Sequence, residues 1–189
     1  MNGPATPSTD DLATGAATAS QAATTRPETT PATVDANLWF RLQALYADYA
    51  RALDLGEFAR WPDFFVEDGV YKVQSRENHD RGLPLATIAL ESRAMLQDRV
   101  IGATDTIFHD PYYQRHVTGA PMILGVEDDV VVSEASYVVI RTRRDAMPEI
   151  LSVGRYLDRV VDTPQGLRFA QRLCIFDNDL LPNSLIYPI

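Results

Sequence analysis

Four long runs late in the chain, residues 115–126, 130–143, 149–161 and 167–176, alternate large apolar side chains with polar or small ones. That period of two is the pattern of strands with one buried face. The separators at 127–129, 144–148 and 162–166 are short and rich in Asp, Gly and Pro, so the runs fold back on one another as an antiparallel meander. In the last run, Leu167, Phe169, Leu173 and Ile175 form the expected core face. Arg168, Ala170, Arg172 and Cys174 form the other, charged face.

Upstream the period changes to that of helices. Leu38, Leu42, Leu45, Tyr46, Tyr49 and Leu53 recur at spacings of three and four, a single apolar stripe. Asp35 is placed to cap this helix, Val34 to reach Trp39 as a hydrophobic staple, and Gly56 to end it. A short helical turn over 58–65 is interrupted by Pro62, and Glu67, Asp68 and Gly69 turn the chain into a strand over 70–74. Residues 75–81 read as a polar loop. Pro84 suits the first position of a third helix with Leu85, Ile88, Ala89, Ser92, Met95 and Leu96 inward and Gly102 closing it, followed by a loop over 103–112. Helices first and a meander afterwards predict an α+β domain over residues 35–189, its helices packed into the concave side of a curved, mostly antiparallel sheet. Residues 1–34 are Thr, Ala, Pro and Ser with hardly a large apolar side chain, and predict a disordered extension.

Of 189 residues, 46% are hydrophobic, enough for one core. A net charge of -9 argues against a nucleic-acid partner, which requires a basic face. No apolar run reaches membrane-spanning length, no targeting signal is apparent, and the expected location is cytoplasmic. Lys72 is the only lysine, all other basic side chains being arginine. Codon bias and a preference for arginine at interfaces both account for this.

The segment from Trp61 to Tyr71, with Arg76, Glu77, Asn78, His79 and Asp80 after it, resembles the start of small (β) subunits of aromatic-ring-hydroxylating dioxygenases. So do Tyr113 to His116 entering the meander, Val139 to Arg144 ending its second run, and Val153 to Asp158 in its third. The resemblance runs in order from about Leu38 to Ile189 and is nearest to the branch handling terephthalate, anthranilate or salicylate. It implies a cone of the nuclear transport factor 2-like (NTF2-like, cystatin-like) fold, shared with ketosteroid isomerase and scytalone dehydratase. It also implies a trimer of this subunit in an α3β3 assembly. There the large α subunit carries a Rieske [2Fe-2S] cluster and a mononuclear iron, and a separate reductase supplies electrons.

No cofactor or metal is expected in this chain itself. A Rieske centre takes two cysteine and two histidine ligands, and Cys174 is the single cysteine beside His79, His109 and His116. The rival enzymatic reading is a dehydratase or isomerase pocket in the cone, using Tyr46, Asp48, Tyr49, His79 and His116 as acids and bases. Helical geometry turns Asp48 away from the Tyr46 and Tyr49 stripe, and His116 reads as a structural hydrogen-bonding residue. A binding module without redox partners is the third reading. No catalytic residue is assigned.

Candidate subunit contacts are Arg141, Arg143, Arg155, Arg168 and Arg172 of the meander, against the alternative of a solvated face balanced by the chain's own acids. The last residues carry Leu185, Ile186, Tyr187 and Ile189, an apolar set that must pack somewhere. The expectation is a place between subunits. Trp61, amid Phe58, Phe64 and Phe65, is expected to anchor a core or an interface.

Overall fold

A computed structural model describes residues 35–106, 108–178 and 185–189. The extension at 1–34, and with it the staple from Val34, lies outside the described residues. Helix α1 (Ala36–Asp54) begins where Asp35 accepts a hydrogen bond from the Asn37 amide, and Gly56 just beyond its end has a φ of 72°. Leu42, Leu45, Tyr46, Tyr49 and Leu53 are buried along its inner face, as the spacing required. A 3-10 turn (Phe58–Phe64) contains Pro62 and leads into β1 (Phe65–Ser75). The strand is longer than the expected 70–74 because it starts before the acidic turn. Glu67, Asp68 and Gly69 instead form a bulge between residues that pair with β7.

Two segments differ from the sequence reading. The expected loop after Ser75 is a short helix, α2 (Arg76–Asp80), with the Ser75 hydroxyl capping the Asn78 amide. The third helix starts not at Pro84 but at α3 (Arg93–Ile101), where Ser92 caps the Met95 amide. Ile88 and Ala89 belong to β2 (Ile88–Leu90), an edge strand on β1, and Leu85 is exposed. The open edge of β1 offers backbone partners that outweigh a local helical preference. Gly102 closes α3 as its C-cap, keeping helical φ and ψ and leading into a π-helical turn (Gly102–Thr106) where a loop was expected.

The remaining strands are β3 (Tyr112–Thr118), β4 (Met122–Glu127), β5 (Val130–Arg143), β6 (Glu149–Thr163) and β7 (Gly166–Phe176). The run read as one strand over 115–126 is therefore two, broken at Gly119 to Pro121, and both halves pair with the same edge of β5. Proline cannot donate to the ladder, which separates the halves. The sheet runs β2-β1-β7-β6-β5-β3, antiparallel except for β1 beside β7. α1 packs across β3 and β7 while α3 covers β1, so the helices and the concave face of the sheet enclose one core. Where β6 meets the end of β7 the strands approach so closely that a Cβ on Gly154 would lie 1.9 Å from the Ile175 carbonyl oxygen, which excludes any side chain there.

Candidate functional site

A departure from simple alternation in β7 decides what faces the interior. Register with β6 shifts by one residue between Arg159 opposite Gln171 and Val160 opposite Phe169, leaving Ala170 as the extra residue of a bulge. Beyond it the faces exchange. Arg172 and Cys174, read as members of an outer charged face, point into the cone and are fully buried. Arg172 is therefore not a subunit-contact residue. Its Nε and Nη2 donate to Asp158 on β6 at 3.1 and 2.7 Å, and the Tyr46 hydroxyl donates to the same carboxylate. The guanidinium carbon sits 4.0 Å from the ring centre of Phe169, 4.2 Å from those of Tyr49 and Tyr156 and 4.6 Å from that of Tyr46. Four ring faces thus replace the water around one cation.

Burial drives the Arg172 guanidinium down, but the charge and hydrogen bonds of Asp158 outweigh it and hold the group well above its ordinary range. Burial likewise pushes the Asp158 carboxyl up, against the pull of Arg172. Tyr46, Tyr49, Tyr71 and Tyr156 are all raised, first by loss of water, so each stays a neutral hydroxyl. None is poised to lose a proton near neutral pH. The interior is thus a set of fixed donors and one compensated charge, not a pair of groups tuned to exchange protons.

Residues 185–189 close this interior. Leu185 and Ile189, expected between subunits, are instead buried in their own subunit's core, while Ile186 and Tyr187 stay half-exposed. The main-chain oxygen of Ile189 accepts from the hydroxyls of Tyr49 at 3.0 Å and Tyr71 at 3.2 Å and from the thiol of Cys174 at 3.6 Å. Its amide donates to the Tyr71 oxygen at 3.0 Å. Arg99 donates to the carbonyls of Leu185 and Ile186, and Gln114 to that of Pro188. Tyr187 stacks on Phe58 with ring centres 4.4 Å apart, and its hydroxyl meets His109 Nε2 at 2.7 Å. Helices and sheet do not by themselves complete the core. Their inward hydroxyls need an acceptor, and this segment supplies it.

The other candidates fall into structural roles. His116 is buried with Nδ1 2.7 Å from Asp54, whose carboxylate also accepts the His116 amide, tying β3 to the end of α1. Asp48 faces outward to Arg60 at 3.0 Å, and His79 is half-exposed on α2, so neither joins Tyr46 and Tyr49. Arg141 is buried and shares Glu149 with Arg143, the intervening carboxylate that adjacent like charges require. Arg155 lies on the outer face 3.7 Å from Asp80 and 3.9 Å from Glu134. Arg168, half-buried, donates to the Leu167 carbonyl.

Burial pushes the Cys174 thiol up to about 12, the opposing pull of Arg172 being the weaker. At pH 8 an alkylating reagent is expected to leave the folded chain unlabelled and to react fully in denaturant. Rapid labelling of the native protein would contradict the burial described here.

Residues 41–173 match the family model of the SnoaL-like domain. The chain is 33% identical over 157 residues to the anthranilate 1,2-dioxygenase small subunit of Burkholderia cepacia, covering 83% of this chain and 98% of that one. It belongs to the small subunits of aromatic-ring-hydroxylating dioxygenases. A further relative of this small subunit is terephthalate 1,2-dioxygenase terminal oxygenase component subunit beta 2 of Comamonas sp, 26% identical over 79% of the chain and 97% of the relative. Among solved structures, one described as the β subunit of an aromatic-ring-hydroxylating dioxygenase of Novosphingobium aromaticivorans superposes with a TM-score of 0.74 at 37% identity, covering 81% of this chain and 97% of that one. The cone expected from the resemblance is the fold observed, and small subunits of this family are in general the non-catalytic part of their oxidoreductase complexes. Among the described residues no helix is long and apolar enough to cross a membrane.

Sequence reasoning missed Asp158, Ser133 and Tyr156 as interior residues. The odd-position run Leu167, Phe169, Leu173 and Ile175 gave no sign of the inserted Ala170, across which the inward face passes from odd to even positions.

Proposed function

We propose that this chain is the scaffolding small subunit of an oxygenase that hydroxylates an aromatic carboxylic acid. The observation that carries the reading is the match to the anthranilate enzyme's small subunit along 98% of that protein. The interior described above supports it, because Arg172, Asp158, Tyr46, Tyr49 and Tyr71 are engaged with one another and with the chain's own 185–189 segment. The partner is an iron-bearing large subunit with a Rieske [2Fe-2S] cluster and a mononuclear iron, in an α3β3 assembly served by a reductase. The residues here fit neither iron group: a Rieske centre needs two cysteines and Cys174 is the only one, and among the described residues no three His, Cys, Asp or Glu side chains are grouped as a mononuclear iron requires. This subunit's task is positional: a rigid base that holds neighbouring large subunits in register.

Contacts are assigned to the outer face through Arg143, Arg155 and Arg168, and to the half-exposed Ile186 and Tyr187. The test is coexpression with a large subunit of an aromatic-ring-hydroxylating dioxygenase. A tagged small subunit is expected to draw down a coloured complex of α3β3 mass by light scattering. Arg155→Glu with Arg168→Glu should reduce that yield at least tenfold while circular dichroism stays unchanged. A colourless, uncomplexed chain that by itself dehydrates or isomerises a small ketone or phenol would replace this reading with the enzymatic one.

A further inference from the structure

Within the cone, several donors share one acceptor. Tyr49, Tyr71 and Cys174 converge on the single main-chain oxygen of Ile189. Two further buried donors nearby, Arg172 Nη1 and the Tyr156 hydroxyl, have no hydrogen-bond partner among the described residues. Tyr156 is the direct cross-strand neighbour of Cys174, and the Arg172 guanidinium lies against the faces of both Tyr49 and Tyr156. The walls are aromatic: Trp61 meets Tyr71 edge-on at 4.9 Å, donates to the Tyr49 hydroxyl at 3.1 Å, and packs against Phe65.

The 185–189 segment occupies this space in the manner of a bound peptide. Side chains of Arg99, Gln114, Tyr49 and Tyr71 serve its carbonyls, and Leu185 and Ile189 supply its apolar anchors. Such recognition does not depend on a covalent connection to the strands.

We propose that the 185–189 segment is a displaceable occupant of a carboxylate site inside the cone, and that monocyclic aromatic carboxylates of the benzoate class bind there when it withdraws. A carboxylate offers about four acceptor positions to the converging hydroxyls and the unserved guanidinium N–H. A flat ring suits the aromatic walls left by Ile189 and Leu185. Asp158 already neutralises Arg172, so hydrogen-bond geometry and ring fit select the ligand more than net charge does. The inference concerns the isolated subunit and stands independently of the assembly proposed above, since both are read out on different preparations.

The experiment uses the full chain and its Ile189→Gly variant, titrated with benzoate, following calorimetric heat and tryptophan fluorescence. The variant should respond to benzoate at a concentration at least tenfold lower than the parent, and the pentapeptide Leu-Ile-Tyr-Pro-Ile should compete with benzoate for it. Benzoate affinity of the variant should fall at least tenfold when Tyr49→Phe and Tyr71→Phe are added. Leu185→Ala is the second variant, with the same expectation, should Ile189→Gly not fold. Peptide binding without benzoate binding would overturn the ligand class, and equal responses of variant and parent, or none, would overturn the displaceable occupant.

Discussion

Asp158→Ala is expected to destabilise the subunit by about 3–5 kcal/mol, because it strands the Arg172 guanidinium in a water-free interior. A domain of this kind is stable by roughly 5–15 kcal/mol in all, so the variant should sit near the limit of folding. The geometry makes the cost steep. Asp158 is the acceptor for both Arg172 Nε and Nη2 and for Tyr46, and neither side chain of the ion pair reaches solvent. The four aromatic faces around the cation offset only part of the lost attraction, at about 0.5–2 kcal/mol each where desolvated. A second variant separates the value of the pair from the penalty of breaking it. Asp158→Leu with Arg172→Met leaves no buried charge and is expected to recover most of the loss, because apolar replacement of a buried pair is often neutral or stabilising by about 1–4 kcal/mol. Urea unfolding of the three proteins decides the matter. A single variant within about 1 kcal/mol of the parent would show that water reaches Arg172 and that the cage is open.

How far this pair was legible in the sequence follows from the nature of strand signals. Period-two alternation located β5, β6 and β7 to within a few residues, and the helical stripe from Leu42 to Leu53 was read correctly side chain by side chain. Alternation carries no warning of a one-residue bulge, however, and past Ala170 the inward face passes to Arg172 and Cys174, although Ile175 is buried as expected. That single residue moved Arg172 and Cys174 from an imagined surface to the centre of the molecule. Local signals failed in a second way at residues 84–92. Pro84 and the apolar spacing favour a helix, but the backbone partners that make Ile88–Leu90 a strand lie on β1, far away in the sequence. The 185–189 segment shows a third. Its composition announced that it must be buried, whereas the set of donors that fixes where becomes visible only once Tyr49, Tyr71 and Cys174 are brought together from α1, β1 and β7. Of the meander's arginines, Arg141 proves buried and shares Glu149 with Arg143, a pairing that alternation alone did not show.

Trp61→Ala is expected to cost about 3–5 kcal/mol, the range for emptying a fully buried aromatic site. Trp61 is wholly shielded from solvent, the largest such side chain in the core. Its ring meets Phe65 and Tyr71 edge-on with centres 5.9 and 4.9 Å away, and its indole N–H donates to the Tyr49 hydroxyl. Truncation therefore does two things at once. It opens a cavity at the turn that seats the start of β1, and it leaves the Tyr49 oxygen without its donor in a place water does not reach. Trp61→Phe should separate the two, since it keeps most of the volume and removes only the N–H. It is expected to cost clearly less than alanine, about 1–3 kcal/mol for the orphaned hydroxyl. Denaturant midpoints at unchanged slope give both values, and copurification with the large subunit shows whether any loss of assembly merely follows loss of folding. Unchanged stability in Trp61→Ala, coupled with altered affinity of the assembled enzyme for its aromatic acid, would show that the ring stacks on substrate and does not hold the core. The edge-on packing between Tyr71 and Phe65 argues against that outcome, since a ring enclosed by its own subunit's aromatic side chains has no face left to offer a ligand until the 185–189 segment beside Tyr71 has moved.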